Sequence, residues 1–168
     1  MRVRHSACTL AEMLRTRFAV ASLWLALVLF LGSAYFAAHE TGRFVLPVLK
    51  FLMPGVPFGQ LLAIHVALRK LAHVAEYAVL ALLWYKAIYR LVGRTPRVSA
   101  WVALSICLVC AFADEAHQSA LASRTGSARD FLIDAFAATL MLTIARGRQT
   151  IGDRGGPLGG AIAAEPAD

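Results

Sequence analysis

Acidic side chains are few: ten Asp and Glu stand against seventeen Lys and Arg, and together they make up only 16% of the 168 residues. An ordinary soluble domain carries about 25% charged residues, so too little charge is present to cover such a surface. Cysteine is scarce too. Three residues make no disulfide framework. The Cys107-x-x-Cys110 pair lies inside an apolar stretch with no second ligand pair nearby, where small, soft side chains at helical spacing are packing. No G-x-x-x-x-G-K-[ST] sequence occurs. The letters Asp114-Glu115-Ala116-His117, which spell a helicase motif, therefore have no phosphate cradle to serve. The chain also lacks an H-E-x-x-H metal pair, an internal repeat, and an obvious nucleophile with an adjacent base.

Apolar residues are what the chain has in excess: 59% are hydrophobic and the mean hydropathy is +0.64. Four apolar segments stand out, from Phe18 to Ala38, Leu71 to Tyr89, Val98 to Ala122 and Phe131 to Ala145. Crossing about 30 Å of hydrocarbon takes roughly 20 helical residues. The expectation is an all-α membrane protein, a four-transmembrane-helix bundle forming one domain over residues 1–146. A disordered cytoplasmic tail, rich in glycine, follows over residues 147–168. The first segment exceeds the usual h-region of a signal peptide and has a poor cleavage pattern, so it is read as a retained helix. Between the first two segments, Pro47, Pro54, Gly55, Pro57 and Gly59 argue against one clean helix. Phe58 to Leu68 is expected as a short amphipathic helix at the outer membrane surface.

The net charge of +7 and pI near 9.9 do not point to nucleic acid, because the bases cluster at the ends of apolar segments. Lipid headgroups and topology explain them better. Eleven Lys and Arg fall in the N-terminal tail, the second loop and the C-terminal tail, against six on the other side (Arg43, Lys50, Arg69, Lys70, Arg124, Arg129). The positive-inside rule then places both termini in the cytoplasm.

Two polar islands interrupt the apolar segments: Arg69, Lys70, His73, Glu76 and Tyr77, and Asp114, Glu115, His117 and Gln118 running on to Arg124, Ser127, Asp130 and Asp134. An ionisable group inside a bilayer marks a functional site by default. With Lys70 at the outer surface, a rise of about 1.5 Å per residue puts His73 about 4–5 Å deep, Glu76 about 9 Å and Tyr77 about 10 Å. Asp114 and Asp134 each come to about 6 Å below the same surface. Lys70, His73 and Tyr77 share one helical stripe, Asp114, His117 and Gln118 another, and Asp130 and Asp134 are an i, i+4 pair; Glu115 points away from the Asp114 stripe. Turned inward, these faces make a polar pocket open to the outside. Structural roles compete for several of them. Ser127 and Asp130 fit a capping box. Arg69 and Lys70 fit snorkelling to headgroups. His73 fits a satisfied core histidine, Tyr77 a packing side chain, and Arg124 a turn brace on Asp130 or Asp114. Glu76 at its depth must be protonated, paired with Arg69 or Arg124, or bound to a ligand.

The ordered set Lys70, His73 and Tyr77, then Asp114, Glu115 and Gln118, then Arg124, Ser127 and Asp130, resembles the VanZ-like family, named for a teicoplanin-resistance membrane protein. The resemblance covers roughly Phe18 to Arg146. It departs at Asp134, where that family's pattern has an asparagine, and it lacks the usual aromatic between Gln118 and Arg124. It implies a bacterial inner-membrane protein of the cell envelope, linked to reduced glycopeptide susceptibility, but implies no biochemical activity. Three readings fit the residues. In the first, the pocket binds an anionic, lipid-linked or peptidoglycan-type ligand without chemistry. In the second, an intramembrane enzyme uses Asp114 or His73 as general base or acid on a lipid-linked substrate held by Arg124 and Lys70, with Glu115 or Asp130 as orienter or metal ligand. In the third, Glu76 and Asp114 relay protons in a small transporter. Membrane lipids are the expected partners, no cofactor is expected, and no metal ligands are assigned, although an Asp/Glu/His set admits a divalent ion.

Overall fold

The computed structural model describes residues 2–36, 38–93, 95–119 and 128–154. They form five α-helices: α1 (Arg2–Leu31), α2 (Ala38–Leu52), α3 (Phe58–Leu91), α4 (Pro96–Ser119) and α5 (Ala128–Arg154). A short 3-10 turn at Ala34–Phe36 precedes α2, and no strand occurs among the described residues. The all-helical expectation holds.

Three boundaries differ from the sequence reading. The surface helix at Phe58 to Leu68 and the segment at Leu71 to Tyr89 are one uninterrupted helix of 34 residues, about 51 Å long. Pro57 sits immediately before its first turn, where the missing N–H costs nothing, and no proline or further glycine follows Gly59 to break it. The proline-rich stretch also holds a helix, since α2 runs through Pro47. At the far end α5 continues past Gly147 to Arg154, so the first eight residues assigned to the tail are helical. The rest of that tail lies outside the described residues.

Among the described residues two helices are long and apolar enough to cross a membrane, at Ala11–Leu31 and Pro96–His117, rather than the four expected. Helices α3 and α5 have the length but carry Arg69, Lys70, Glu76 and Lys86, and Arg129, Asp130, Asp134 and Arg146, within it. The two apolar windows are only 11% and 22% buried. The core helix of a soluble protein would be mostly covered, whereas apolar helices left bare, with Leu23, Phe30, Val109 and Phe112 all exposed, are those of a membrane protein.

Helix α3 is the axis of the bundle, touching each of the other four. Antiparallel α1 is pinned to it along its length: Arg17 Nη1 donates to Lys86 O (3.4 Å), Phe18 meets Trp84 edge-on, Trp24 Nε1 donates to Glu76 O (3.0 Å), and Arg69 Nη1 donates to Phe36 O just beyond α1 (2.7 Å). Helix α5 runs parallel to α3, since Lys70 meets Asp130 and His73 meets Asp134. Gly93, at φ +64°, supplies the left-handed turn that ends α3 before α4 begins.

Packing is close because two of the buried stripes are made of small residues. On α4 the buried positions are Ser99, Ala103, Cys107 and Ala111, and on α5 they are Ala137, Ala138, Leu142 and Ala145. Small side chains let helix backbones approach, which replaces the hydrophobic driving force that lipid removes. Against them α3 presents Tyr77, Leu80, Ala81, Tyr85 and Ile88. Each small stripe ends at a buried aspartate, Asp114 on α4 and Asp134 on α5.

Candidate functional site

The polar residues of three helices meet where those stripes end. Asp114 is 4% exposed and Asp134 3% exposed. His73 Nδ1 lies 3.6 Å from Asp134 Oδ2. Asp114 and Asp134 both lie close enough to His73, Glu76 and Tyr77 to interact electrostatically with all three. The Tyr77 hydroxyl is fully buried in the same place and has no hydrogen-bond partner among the described residues; Asp134 Oδ1 shares that condition.

Above this cluster lies a cavity of about 180 Å³ lined by Leu31, Phe36, Thr41, Arg69, Ala72, His73 and Glu76. Four of these residues come from α3, and the other three from the end of α1, the turn after it and the start of α2. Arg69, His73 and Glu76 stand at i, i+4 and i+7, which places them on one face of α3. His73 lines the cavity, and its Nδ1 is buried against Asp134. Arg69 is fixed by Phe36 O and by Thr41 Oγ1 (3.2 Å), so its guanidinium belongs to the site and not to the headgroup layer. Glu76 makes no ion pair within 4 Å among the described residues.

One turn above Arg69, His65 is buried and bonds Thr41 through Nε2 (3.2 Å). Burial first, and the Arg69 charge second, push it below its ordinary value, which favours the neutral ring. Gly42 packs on the same ring. At the end of α1 Gly32 lies against Asp114, whose carboxylate occupies the space a Cβ there would take.

The remaining sequence candidates divide. Lys70 pairs with Asp130 at 3.4 Å, with both side chains about half exposed, beside the cavity but outside its lining. Glu115 is half-buried. Arg124 and Ser127 lie outside the described residues, as does the side chain of Gln118, so the capping box and the Arg124 brace do too. Among the described residues no three His, Cys, Asp or Glu side chains gather as metal ligands. Sequence reasoning missed Gly32, Thr41 and His65. The Gly32-Ser33 break after an apolar run was their one visible signal, and it marks a turn without saying what packs against it.

No curated protein and no solved structure matches the chain. A family model does, over residues 14–149, which takes in the cavity, the buried aspartates, all of α3 and α4 and most of α1 and α5. On that match the chain belongs to the VanZ/LLP1 family.

Proposed function

We propose that this is a multi-pass bacterial inner-membrane protein whose cavity opens outward and binds the anionic group of an envelope or lipid-linked ligand. Four helices cross in this reading: α1, α3 over residues 70–90, α4 and α5. Both termini are cytoplasmic, and α2 with the first turns of α3 forms an outer, interfacial hairpin. The carrying observation is the single α3 face on which Arg69, His73 and Glu76 line the cavity. A guanidinium held at a half-buried rim is the group best suited to a phosphate or carboxylate. By analogy with the family's namesake, occupancy of the pocket alters susceptibility to glycopeptides such as teicoplanin.

The test is expression in a teicoplanin-sensitive host, with folding followed by thermal melting in detergent. Arg69→Gln and Asp114→Asn are expected to abolish any shift in susceptibility while the protein still folds. A shift that survives both substitutions overturns the reading.

A second reading, an intramembrane general acid–base enzyme, is favoured by one observation: the 3.6 Å approach of His73 Nδ1 to Asp134. A carboxylate beside one ring nitrogen of a cavity-lining histidine orients the imidazole and leaves the other nitrogen for proton transfer. Here Asp134, and not Glu115 or Asp130, is the orienting group. Under this reading Asp134→Asn keeps ligand binding and loses turnover of a lipid-linked substrate. Under the binding reading there is no turnover to lose.

A further inference from the structure

A second groove lies between α4 and α5, toward the end of the bundle opposite Arg69. Its volume is about 100 Å³, and it is lined from α4 by Ala100, Trp101 and Leu104 and from α5 by Thr139, Leu142 and Arg146. The start of α4 thus lies beside the end of α5. Helical spacing makes each wall one continuous face, and from Thr139 to Arg146 that face runs about 10.5 Å along α5. The hydroxyls on the α5 wall are turned onto their own helix: Thr139 Oγ1 donates to Ala135 O (2.7 Å) and Thr143 Oγ1 to Thr139 O (2.8 Å). Charge appears only at the mouth. Arg146 ends the α5 wall, and Arg97 stands three residues before Ala100 and four before Trp101, on the same face of α4. Both arginines are exposed, and neither makes an ion pair within 4 Å among the described residues. Trp101, one turn into α4, is 62% exposed beside them, as an indole at a membrane–water boundary is.

A small polar solute finds little to bond along these walls, and an uncharged apolar ligand has no use for two guanidinium groups. The volume is also well below the roughly 300–1,000 Å³ of drug-sized pockets, so the groove suits one part of a long molecule. A second copy of this chain, docked symmetrically here, would bring its own Arg97 and Arg146 against these two. A phospholipid has the matching order of parts, an acyl chain for the walls and a phosphate for the mouth. Two guanidinium groups favour a headgroup of net negative charge, because the ammonium of an ethanolamine headgroup would be repelled.

We infer that this groove binds an anionic phospholipid, with one acyl chain between Leu104 and Leu142 and the headgroup phosphate on Arg97 and Arg146. Of the function proposed above, the inference rests only on α4 and α5 crossing a bilayer; the Arg69 cavity and the orientation of the bundle do not enter.

Native mass spectrometry of the full chain tests it, after release from nanodiscs of equal phosphatidylglycerol and phosphatidylethanolamine with identical acyl chains. Phosphatidylglycerol is expected to be retained about tenfold over phosphatidylethanolamine, falling to near parity in the double variant Arg97→Gln, Arg146→Gln. Arg90→Gln, exposed at the same end of the bundle but outside the groove, should keep the preference. Thr143→Phe, an exposed lining position, should fill the groove and lose the bound lipid with both arginines in place. Thermal melting of each variant separates lost binding from lost folding. Equal retention of the two lipids, or a preference that survives the double variant, overturns the site. So does a preference lost equally in Arg90→Gln, or retention untouched by Thr143→Phe, since either reduces the effect to surface charge. Lipid-free ions at twice the chain mass would give the groove to a second copy and overturn it too. Failure of the chain to enter nanodiscs would overturn the membrane reading itself, an outcome that none of the others shares.

Discussion

A methyl group at position 32 would occupy the same space as the Asp114 carboxylate, which makes Gly32, among the described glycines, the one whose lack of a side chain the site requires. Gly32→Ala is expected to cost about 1–3 kcal/mol, the usual range for overpacking a close contact. Thermal melting in detergent measures it. Asp114→Ala opens the collision volume, so in the double variant the two costs should fall short of their sum by about 0.5–3 kcal/mol. Strict additivity would mean that α1 does not rest on Asp114. The contrast with Lys70, Glu76, Asp114, Asp130 and Asp134 shows what a sequence makes visible. Those residues were legible because a charge in an apolar segment has an energetic cost that demands a reason. A glycine at the end of an apolar helix demands none until its neighbour is seen. Arg69 is intermediate: its charge was legible, but snorkelling and site-lining look alike until Phe36 O and Thr41 appear beside it.

At the scale of elements, periodicity and composition found the long helices but misjudged the stretch between the first two. Proline density argued against a helix there, yet α2 absorbs Pro47 and α3 starts directly after Pro57. The reason is spacing, since the prolines and glycines at 54–59 are gathered into one short turn and leave the flanking residues free to be helical. The amphipathic element expected at Phe58 to Leu68 is displaced onto α2. There Phe44, Val48, Phe51 and Leu52, at i, i+4, i+7 and i+8, are 57–84% exposed. The opposite face carries Gly42 and Leu46 and packs toward His65. A helix apolar on both sides, one of them bare, has the pattern of a helix lying at a membrane interface. Lys50 does not anchor it to headgroups, because its ammonium is spent on Pro54 O and Val56 O in the turn. A bimane label on Phe44→Cys, in a background without the native cysteines, should be quenched strongly by lipids carrying shallow quenchers. The same label on Gly55→Cys, in open space at the turn, should be quenched weakly. Equal quenching of the two would remove α2 from the membrane surface.

For the whole molecule, the register among helices was the least legible feature, because hydrophobic periodicity gives each helix an inward face without naming its neighbour. Depth arithmetic put His73, Glu76, Tyr77, Asp114 and Asp134 in one layer near the outer surface, and of these the structure brings His73 to within 3.6 Å of Asp134. It could not say that α5 lies parallel to α3 with Asp134 on His73, or that the α1–α2 turn lines the cavity. Orientation in the membrane rests on the eleven-to-six division of Lys and Arg. The fold sharpens that division, for among the outer six Lys50, Arg69 and Lys70 are bound within the protein and Arg43 meets Glu40 at 3.5 Å. They brace the hairpin formed by α2 and the start of α3. With Arg17 reaching Lys86 O, the base-rich ends of α1 and α3 lie together, so one end of the bundle carries the topological signal. A membrane-impermeant maleimide should therefore label Gly55→Cys in intact cells and Thr95→Cys, in the α3–α4 turn, only after permeabilisation. The reverse pattern would turn the cavity toward the cytoplasm, where no peptidoglycan-type ligand is exposed to glycopeptide, and would remove the envelope role while leaving the site's chemistry unchanged.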